Sequence, residues 1–221
     1  MKRMLRMTLF LIIGLAIGFG IKYAMEQNEL DSGVVATDSD DGSVATILKT
    51  PKRDENKIAG ATDIGGAFSL TDQDGNAVTE ADFTDTYKLV FFGFTYCPAV
   101  CPTELQKMAV IMDSLGETAE KVTPIFISVD PERDTPDVVK GYVKQFHPDL
   151  IGLTGTQDQV DAVTNTFKAY ASKVEMEMMD GYMIDHSSFI YLTDHDNMVI
   201  DMYPAKDTAE DIANKIKEKG L

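Results

Sequence analysis

The feature that most constrains the fold of this chain is a pair of cysteines placed between an apolar run and a predicted helix. Residues 88–95 read Lys-Leu-Val-Phe-Phe-Gly-Phe-Thr, and such a run is typical of a strand buried on both faces. Cys97 and Cys101 follow it, and apolar residues then recur at helical spacing over residues 103–115. The sequence therefore predicts that both thiols lie at one edge of a sheet, where a strand leads through a loop into a helix.

The rest of the chain alternates between predicted strands and helices. The predicted strands cover residues 67–70, 77–78, 88–95, 122–129, 150–153, 188–192 and 198–202, and the predicted helices cover 103–115, 135–146, 157–170 and 207–219. This alternation indicates an α/β sheet with helices on both faces. Thioredoxin-like folds place their active site after the first buried strand, so by analogy we predict a thioredoxin-like fold with an added hairpin.

The first 60 residues predict two further segments. Residues 1–25 are basic at their start and then mostly apolar, which predicts a transmembrane anchor. The apolar run is short for a full span and is also compatible with a cleaved signal peptide, but no small-residue cleavage site follows it, so we favour the anchor. Residues 26–60 are acidic and poor in apolar residues, which predicts a flexible linker. We expect the folded domain over residues 61–221.

The distribution of charge predicts where this domain lies and what it avoids. A basic N-terminal flank stays in the cytoplasm, so we expect a single-pass protein of the bacterial inner membrane with its domain in the periplasm; the mitochondrial inner membrane is the alternative. The chain has 20 Lys and Arg against 36 Asp and Glu, a formal net charge of -16. Such a surface repels phosphate backbones, which argues against nucleic-acid binding, and it suits metal cations or a basic protein partner.

Two prolines shape the predicted cysteine loop. Pro102 lacks an N–H, so we expect the helix to begin there, and the proline disfavours helical angles at Cys101. Residues 97–101 are therefore predicted to form a loop that can bring both sulfurs to one point. The neighbouring helix N-terminus favours negative charge, and we expect it to lower the pKa of at least one thiol.

Three kinds of site are compatible with this loop. The first is a structural disulfide between Cys97 and Cys101. The second is a thiol–disulfide oxidoreductase, although such enzymes usually have two residues between their cysteines and this chain has three. The third is a metal site, because two thiolates suit Cu(I) or zinc when a third ligand is present.

The third ligand must come from elsewhere, and His186 is the strongest candidate. The chain has three histidines; His147 reads as a turn residue after a helix, and His195 as a solvated residue at a hairpin tip. His186 stands just before the strand 188–192, whose start lies beside the cysteine loop in a thioredoxin-like sheet. Two thiolates and one imidazole could hold both Cu(I) and Cu(II). Asp180 and Asp185 are candidates to orient the imidazole.

Three segments in this order resemble the signatures of the Sco/SenC family. They are Cys97-Pro-Ala-Val-Cys101-Pro102, then Ser128-Val-Asp-Pro-Glu-Arg-Asp-Thr-Pro136, then Asp185-His186-Ser187 followed by Tyr191-Leu192, and the resemblance covers about residues 62–221. It implies that Cys97, Cys101 and His186 bind copper, as Cu(I) and Cu(II). It also implies a role in assembling the dinuclear CuA centre of cytochrome c oxidase subunit II.

The resemblance leaves two mechanisms open. One is direct delivery of copper by ligand exchange, with another periplasmic copper chaperone as a possible further partner. The other is reduction of the cysteines of subunit II by Cys97 and Cys101 acting as a redox-active disulfide pair. Both mechanisms use the same two thiols, and the sequence does not separate them.

Two further groups of residues carry weaker predictions. Asp134 is expected to help cap the helix that starts at Pro136, and Arg133 either pairs with Asp130 or faces a partner. Methionines surround a predicted turn at Asp180-Gly181; they form either one apolar face of a hairpin or an entry patch for Cu(I). The four methionines are Met176, Met178, Met179 and Met183.

Overall fold

A seven-stranded mixed sheet organises the domain in the computed structural model, which describes residues 63–175 and 181–221. The strands are β1 (Ser69–Asp72), β2 (Ala77–Thr79), β3 (Tyr87–Gly93), β4 (Val122–Ser128), β5 (Ile151–Thr154), β6 (Ala171–Glu175), β7 (Tyr182–His186), β8 (Ile190–Thr193) and β9 (Val199–Tyr203). The α-helices are α1 (Val100–Leu115), α2 (Pro136–Val143), α3 (Gln157–Phe167) and α4 (Ala209–Glu218), and short 3₁₀ helices cover Glu80–Phe83 and Gly116–Lys121.

The strand order in the main sheet is β2-β1-β5-β4-β3-β8-β9. Strands β3, β4 and β5 are parallel to one another, whereas β8 runs antiparallel to β3 and β9 antiparallel to β8. Nearly every residue of β3 and β4 is buried, which confirms the prediction from the apolar run that these strands have helices on both sides.

Two helix layers cover this sheet. Cys101 in α1 and Tyr142 in α2 both pack against the face that presents Phe126, and α4 lies against α1. On the opposite face, Phe167 in α3 packs edge-on against Phe92 of β3. Right-handed crossovers explain this division, because β3, β4 and β5 step in one direction across the sheet and the chain then returns to β8. The predicted α/β fold is confirmed.

Strands β6 and β7 form a separate two-stranded hairpin. It stands between α3 and β8 in the chain. The sequence predicted a hairpin turn at Asp180-Gly181 but did not predict these two strands. His186 is the last residue of β7. Because β8 begins opposite Phe91, near the end of β3, the hairpin delivers His186 to the sheet edge at which the cysteine loop begins.

Several predicted features lie outside the described residues. These are the membrane anchor of residues 1–25, the linker of residues 26–60, Asp180, and the methionines Met176, Met178 and Met179. Within residues 63–175 and 181–221, no helix is long and apolar enough to cross a membrane.

Candidate metal centre

Cys97, Cys101 and His186 converge at the end of β3. One ligand atom from each lies within 4.8 Å of the other two, and the Cys101 Sγ is 3.3 Å from the His186 Nε2. Both cysteines are free thiols; Cys97 is half-buried and Cys101 is fully buried. Across the part of the chain that the structure describes, this is the one cluster of Cys, His, Asp or Glu suited to a metal ion.

The cysteine loop turns sharply into α1, and the helix begins earlier than predicted. The Cys97 N–H donates to the Phe94 carbonyl at 3.2 Å, and the Cys101 N–H points to the Cys97 Sγ at 3.4 Å. α1 starts at Val100, so Cys101 is already helical. The prediction of a start at Pro102 was wrong because the first four N–H groups of a helix have no intrahelical partner, and a proline there loses no hydrogen bond.

The expected lowering of a thiol pKa by the helix terminus is not found at Cys101. Burial raises the pKa of the Cys101 thiol, and the nearby Cys97 raises it further, while a backbone hydrogen bond from Phe94 acts in the opposite direction. Removal from water disfavours the thiolate more strongly than the N-terminal dipole favours it. Cys101 is therefore a protonated thiol at neutral pH in the metal-free protein, and a bound cation must displace its proton.

The environment of His186 fixes which ring nitrogen can bind a metal. Nδ1 lies 2.9 Å from the Ser187 carbonyl, which can only accept, so Nδ1 carries the proton and Nε2 has the free lone pair. Burial lowers the pKa of His186, which keeps the imidazole neutral at pH 7. The metal-free arrangement is then a Cys101 S–H that donates to Nε2, and a metal ion would take the place of this proton.

Of the two predicted orienting carboxylates, Asp185 does not hold the imidazole. Asp185 is exposed and affects the pKa of His186 through its charge, while Asp180 lies outside the described residues. The Ser187 carbonyl takes this role. Tyr170, which precedes β6, holds Ser187 in place: its carbonyl accepts from the Ser187 N–H at 2.9 Å, and its own N–H donates to the Ser187 Oγ at 2.8 Å.

Apolar side chains and a glycine shape the buried wall of the site. The rings of Phe91 and Phe94 stand edge-on to the His186 ring, with centroids 6.0 and 5.7 Å away. A Cβ added at Gly93 would lie 2.8 Å from the Cys101 Sγ, closer than a carbon and a sulfur can approach. Only glycine at this position leaves room for the Cys101 thiol beneath the sheet edge.

Asp134 anchors the loop that leads to Cys97, rather than capping α2 as predicted. Its buried carboxylate accepts from the Thr95 N–H at 3.0 Å, from the Thr95 Oγ1 at 2.6 Å and from the Ser128 Oγ at 2.6 Å. Thr135 is the residue that precedes α2, and its side chain makes no capping hydrogen bond. Burial raises the pKa of Asp134, and these three donors oppose that shift. The carboxylate thereby joins the ends of β3 and β4.

Arg133 pairs with Asp130, which confirms one of the two predicted alternatives. Its Nε donates to the Asp130 Oδ2 at 2.5 Å, and its Nη1 donates to the Tyr182 carbonyl at 2.9 Å.

Tyr182 was not identified from the sequence, because a single tyrosine at the start of a strand does not indicate which residues it contacts. Gly93 and Ser187 were missed for the same reason, since each acts through its backbone or its size.

The other two histidines lie outside this group, as expected. His195 is exposed in the β8–β9 turn, where its ring packs on Tyr87 and its Nδ1 donates to the Thr84 carbonyl at 2.8 Å. His147 follows α2, with Asp113 and Asp149 within 4.0 Å of its ring nitrogens. Neither histidine shares a contact with a cysteine.

Sequence comparison places this chain among proteins with related domains. The family model described as SCO1/SenC matches residues 56–219. The chain is 39% identical over 176 residues to the mitochondrial protein SCO2 of Saccharomyces cerevisiae, a match that covers 78% of this chain and 58% of the yeast protein. It is also 39% identical over 185 residues to an SCO2-like protein of Rickettsia prowazekii, which covers 80% of this chain and 88% of that protein. The chain thus spans less than two thirds of the yeast relative.

Solved structures give the same result. The crystal structure of Arabidopsis thaliana ScoI with copper bound matches with a TM-score of 0.67 and 41% identity, over 71% of this chain and 98% of that one. A structure of BsSco, described as a member of the Sco family of cytochrome c oxidase assembly proteins with a disulfide switch, matches with a TM-score of 0.57 and 25% identity, over 73% of this chain and 96% of that one.

Proposed function

Because the chain belongs to the SCO1/SenC family, we propose that it is a copper-binding metallochaperone that holds copper with Cys97, Cys101 and His186. We propose further that it delivers this copper to the dinuclear CuA centre of cytochrome c oxidase subunit II. The single observation that carries the proposal is the convergence of two thiols and a neutral imidazole within 4.8 Å.

The donor set suits copper in both oxidation states. Two thiolate sulfurs are soft ligands that favour Cu(I), and the Nε2 of His186 adds a ligand that also suits Cu(II). The tautomer of the imidazole is fixed by the Ser187 carbonyl, so no rearrangement of the ring is needed before copper binds. The same set could hold zinc, and the family relationship is what favours copper.

The exposure of the site supports transfer by ligand exchange. Cys97 is half-buried, and its neighbour Tyr96 is 64% exposed, whereas Cys101 lies beneath them fully buried. An incoming ligand of the target can therefore approach copper from the side of Cys97. Cys101, which is fully buried, is expected to release the ion last.

A membrane-tethered thiol–disulfide reductase is the second candidate function. Both cysteines are free, and the Cys101 N–H points at the Cys97 Sγ, so the two sulfurs can form a disulfide after one of them attacks a disulfide of subunit II. In this reaction the target gains two thiols and this chain acquires the Cys97–Cys101 bond. The similarity to BsSco, whose structure is described with a disulfide switch, supports this second function.

We propose that residues 1–25 anchor the protein in a membrane and that residues 26–60 tether the domain, with a bacterial inner membrane favoured over a mitochondrial one. The described chain enters the domain at the end of the sheet opposite the metal centre, because Gly65 pairs with Met198 beside the β8–β9 turn.

The test of copper binding compares His186→Ala with His195→Ala. Reduced protein is titrated anaerobically with Cu(I) against a chromogenic chelator, and Cu(II) binding is followed by its thiolate charge-transfer absorption. We expect His186→Ala to lower Cu(II) affinity by about 100-fold, because loss of a ligand should cost at least as much as the largest losses seen when a residue that supports a ligand is removed. His195→Ala should match the wild type. Cu(II) binding that is unaffected by His186→Ala would rule out this ligand set.

A separate assay distinguishes delivery from reduction. Metal-free reduced protein is mixed with the oxidised soluble domain of subunit II, and free thiols of the target are counted. Copper-loaded protein is then mixed with the reduced domain, and the CuA absorption is followed. Rapid thiol formation without copper transfer would favour the reductase function over the metallochaperone.

The apparent affinity for Cu(I) should rise with pH. Copper must displace the proton of Cys101, whose pKa is raised by burial, so the apparent dissociation constant should fall at least about tenfold per pH unit between about pH 6 and pH 8. His186 adds less to this slope than an ordinary histidine would, because burial lowers its pKa. Competition titrations at several pH values measure the slope, and a flat profile contradicts the prediction.

A further inference from the structure

The hairpin that brings His186 to the site is separate from the main sheet. β6 and β7 pair with each other and, among the described strands, with no strand of the main sheet. An open cleft of about 380 Å³ lies between the hairpin and α3, lined on the hairpin side by Ala171, Ser172 and Ile184. Ile184 of β7 is buried in the core, and side-chain contacts of the hairpin with the segment after β4 act together with this packing to place β7 against the cysteine loop.

Arg133 makes the most extensive of these contacts. It forms an ion pair with the fully buried carboxylate of Asp130 and donates a second hydrogen bond to the Tyr182 carbonyl, on the first residue of β7. Its guanidinium carbon lies 3.8 Å from the centroid of the Tyr182 ring. The Tyr182 hydroxyl returns to the Asp130 Oδ1 at 2.6 Å. Arg133, Asp130 and Tyr182 thus form a closed set of contacts.

The same guanidinium group also faces the segment that carries the cysteines. It lies 4.9 Å from the centroid of the Tyr96 ring and 5.8 Å from that of Phe94. Tyr96 precedes Cys97, and Phe94 stands edge-on to the His186 ring. One planar cation therefore touches the loop of the first ligand and the strand of the third.

We propose that Arg133 is a positioning residue that sets His186 against the two thiols. This inference rests on the proposed copper function. Cys97 and Cys101 lie within one loop and the first turn of one helix, so they keep their relation without Arg133. His186 is 85 residues away from Cys101 along the chain, and its place at the site depends on where β7 stands.

The shape of the arginine side chain, beyond its charge, is what this role requires. A guanidinium group donates in two directions in one plane while its face stacks on an aromatic ring. A lysine at position 133 could keep the ion pair with Asp130, but its compact ammonium could not also reach the Tyr182 carbonyl and stack on the ring. We therefore expect Arg133→Lys to recover only part of what Arg133→Ala loses.

The test is a double-mutant cycle on copper binding with the 221-residue chain. We expect Arg133→Ala to lower Cu(II) affinity about tenfold, within the range of outer-shell losses, and Cu(I) affinity by less, because the thiolates dominate Cu(I) binding. In the His186→Ala background, Arg133→Ala should change Cu(II) affinity by no more than about threefold. Lys140→Ala, which removes an exposed ion pair with Asp74, serves as the control and should match the wild type.

A second measurement needs no copper. The edge-on contacts of His186 with Phe91 and Phe94 should shift its imidazole proton resonances, and Arg133→Ala should move them towards the values of a histidine in an unstructured peptide. Thermal unfolding of each variant shows whether the fold is kept. Because this arm uses metal-free protein, it still decides the role of Arg133 if the wild type proves to bind no copper.

Two results would overturn the inference. One is an effect of Arg133→Ala on Cu(II) affinity that is as large in the His186→Ala background as in the wild type, since Arg133 would then act through the thiols or the whole fold. The other is a folded Arg133→Ala protein whose His186 resonances do not move.

Discussion

Replacing Cys101 by serine is expected to lower the affinity for Cu(I) by more than about 100-fold, beyond the range of losses typical for outer-shell residues. Cys101 lies at the centre of the ligand set, with its Sγ 3.3 Å from the His186 Nε2. A serine oxygen is a hard ligand that Cu(I) disfavours. It would also keep its proton, because the pocket that already raises the pKa of the thiol disfavours an alkoxide far more. Competition titration with a chromogenic chelator measures the loss.

Val100→Ala is the matched control for Cys101→Ser. Val100 lies in the same first turn of α1, is 44% exposed, and contributes no ligand atom. This variant should bind Cu(I) as the wild type does. If Cys101→Ser retained an affinity within tenfold of the wild type, copper would not be held by Cys101, and the proposed site would have to be moved.

Replacing Asp134 by alanine is expected to reduce the free energy of unfolding by about 3 kcal/mol or more. One backbone N–H and two hydroxyls lose their acceptor, and each polar group left without a partner inside a protein costs about 1–3 kcal/mol. Because Thr95 then loses its anchor two residues before Cys97, the affinity for Cu(I) should fall as well. Urea unfolding of the metal-free protein measures the stability.

Asp137→Ala provides the comparison for Asp134→Ala. Asp137 is the same residue type three positions further on, but it is exposed in the first turn of α2. Its loss should cost about 0.3–1 kcal/mol through the helix dipole. Similar losses for the two variants would show that the buried network of Asp134 does not stabilise the end of β3.

The sequence was sufficient for the main strands and for the order of the domain. The run at 88–95 is so apolar that only a strand between two helix layers can bury it, and β3 with its fully buried centre is the result. The helix start at Val100 could not be predicted, because whether Pro102 ends up before or inside the first turn depends on how the loop packs under Gly93.

The candidate site likewise has a part that the sequence could predict and a part that it could not. Cys97 and Cys101 were identifiable because they are close in the sequence and fixed between a strand and a helix. His186 could be identified only with the help of the fold, since no local pattern separates a ligand from a turn histidine. A carboxylate was predicted to orient the ring, but the partner of Nδ1 is the Ser187 carbonyl. Every residue has a backbone carbonyl, so the residue types in the sequence do not indicate this contact.

The sequence by itself determined the α/β core, the position of the thiol pair at one sheet edge and the family to which the domain belongs. Local composition and spacing are enough for the core and the thiol pair, because burial of a strand and entry into a helix are decided within a few residues; the family followed from the resemblance of three motifs. Only the tertiary structure decided that the Cys101 thiol is too deeply buried to ionise, that Asp134 joins two strands, and that Arg133 links β7 to the cysteine loop. These features depend on contacts between segments 30 to 90 residues apart. Such contacts determine which groups are desolvated and hydrogen-bonded, and they cannot be inferred from the residues adjacent in the sequence.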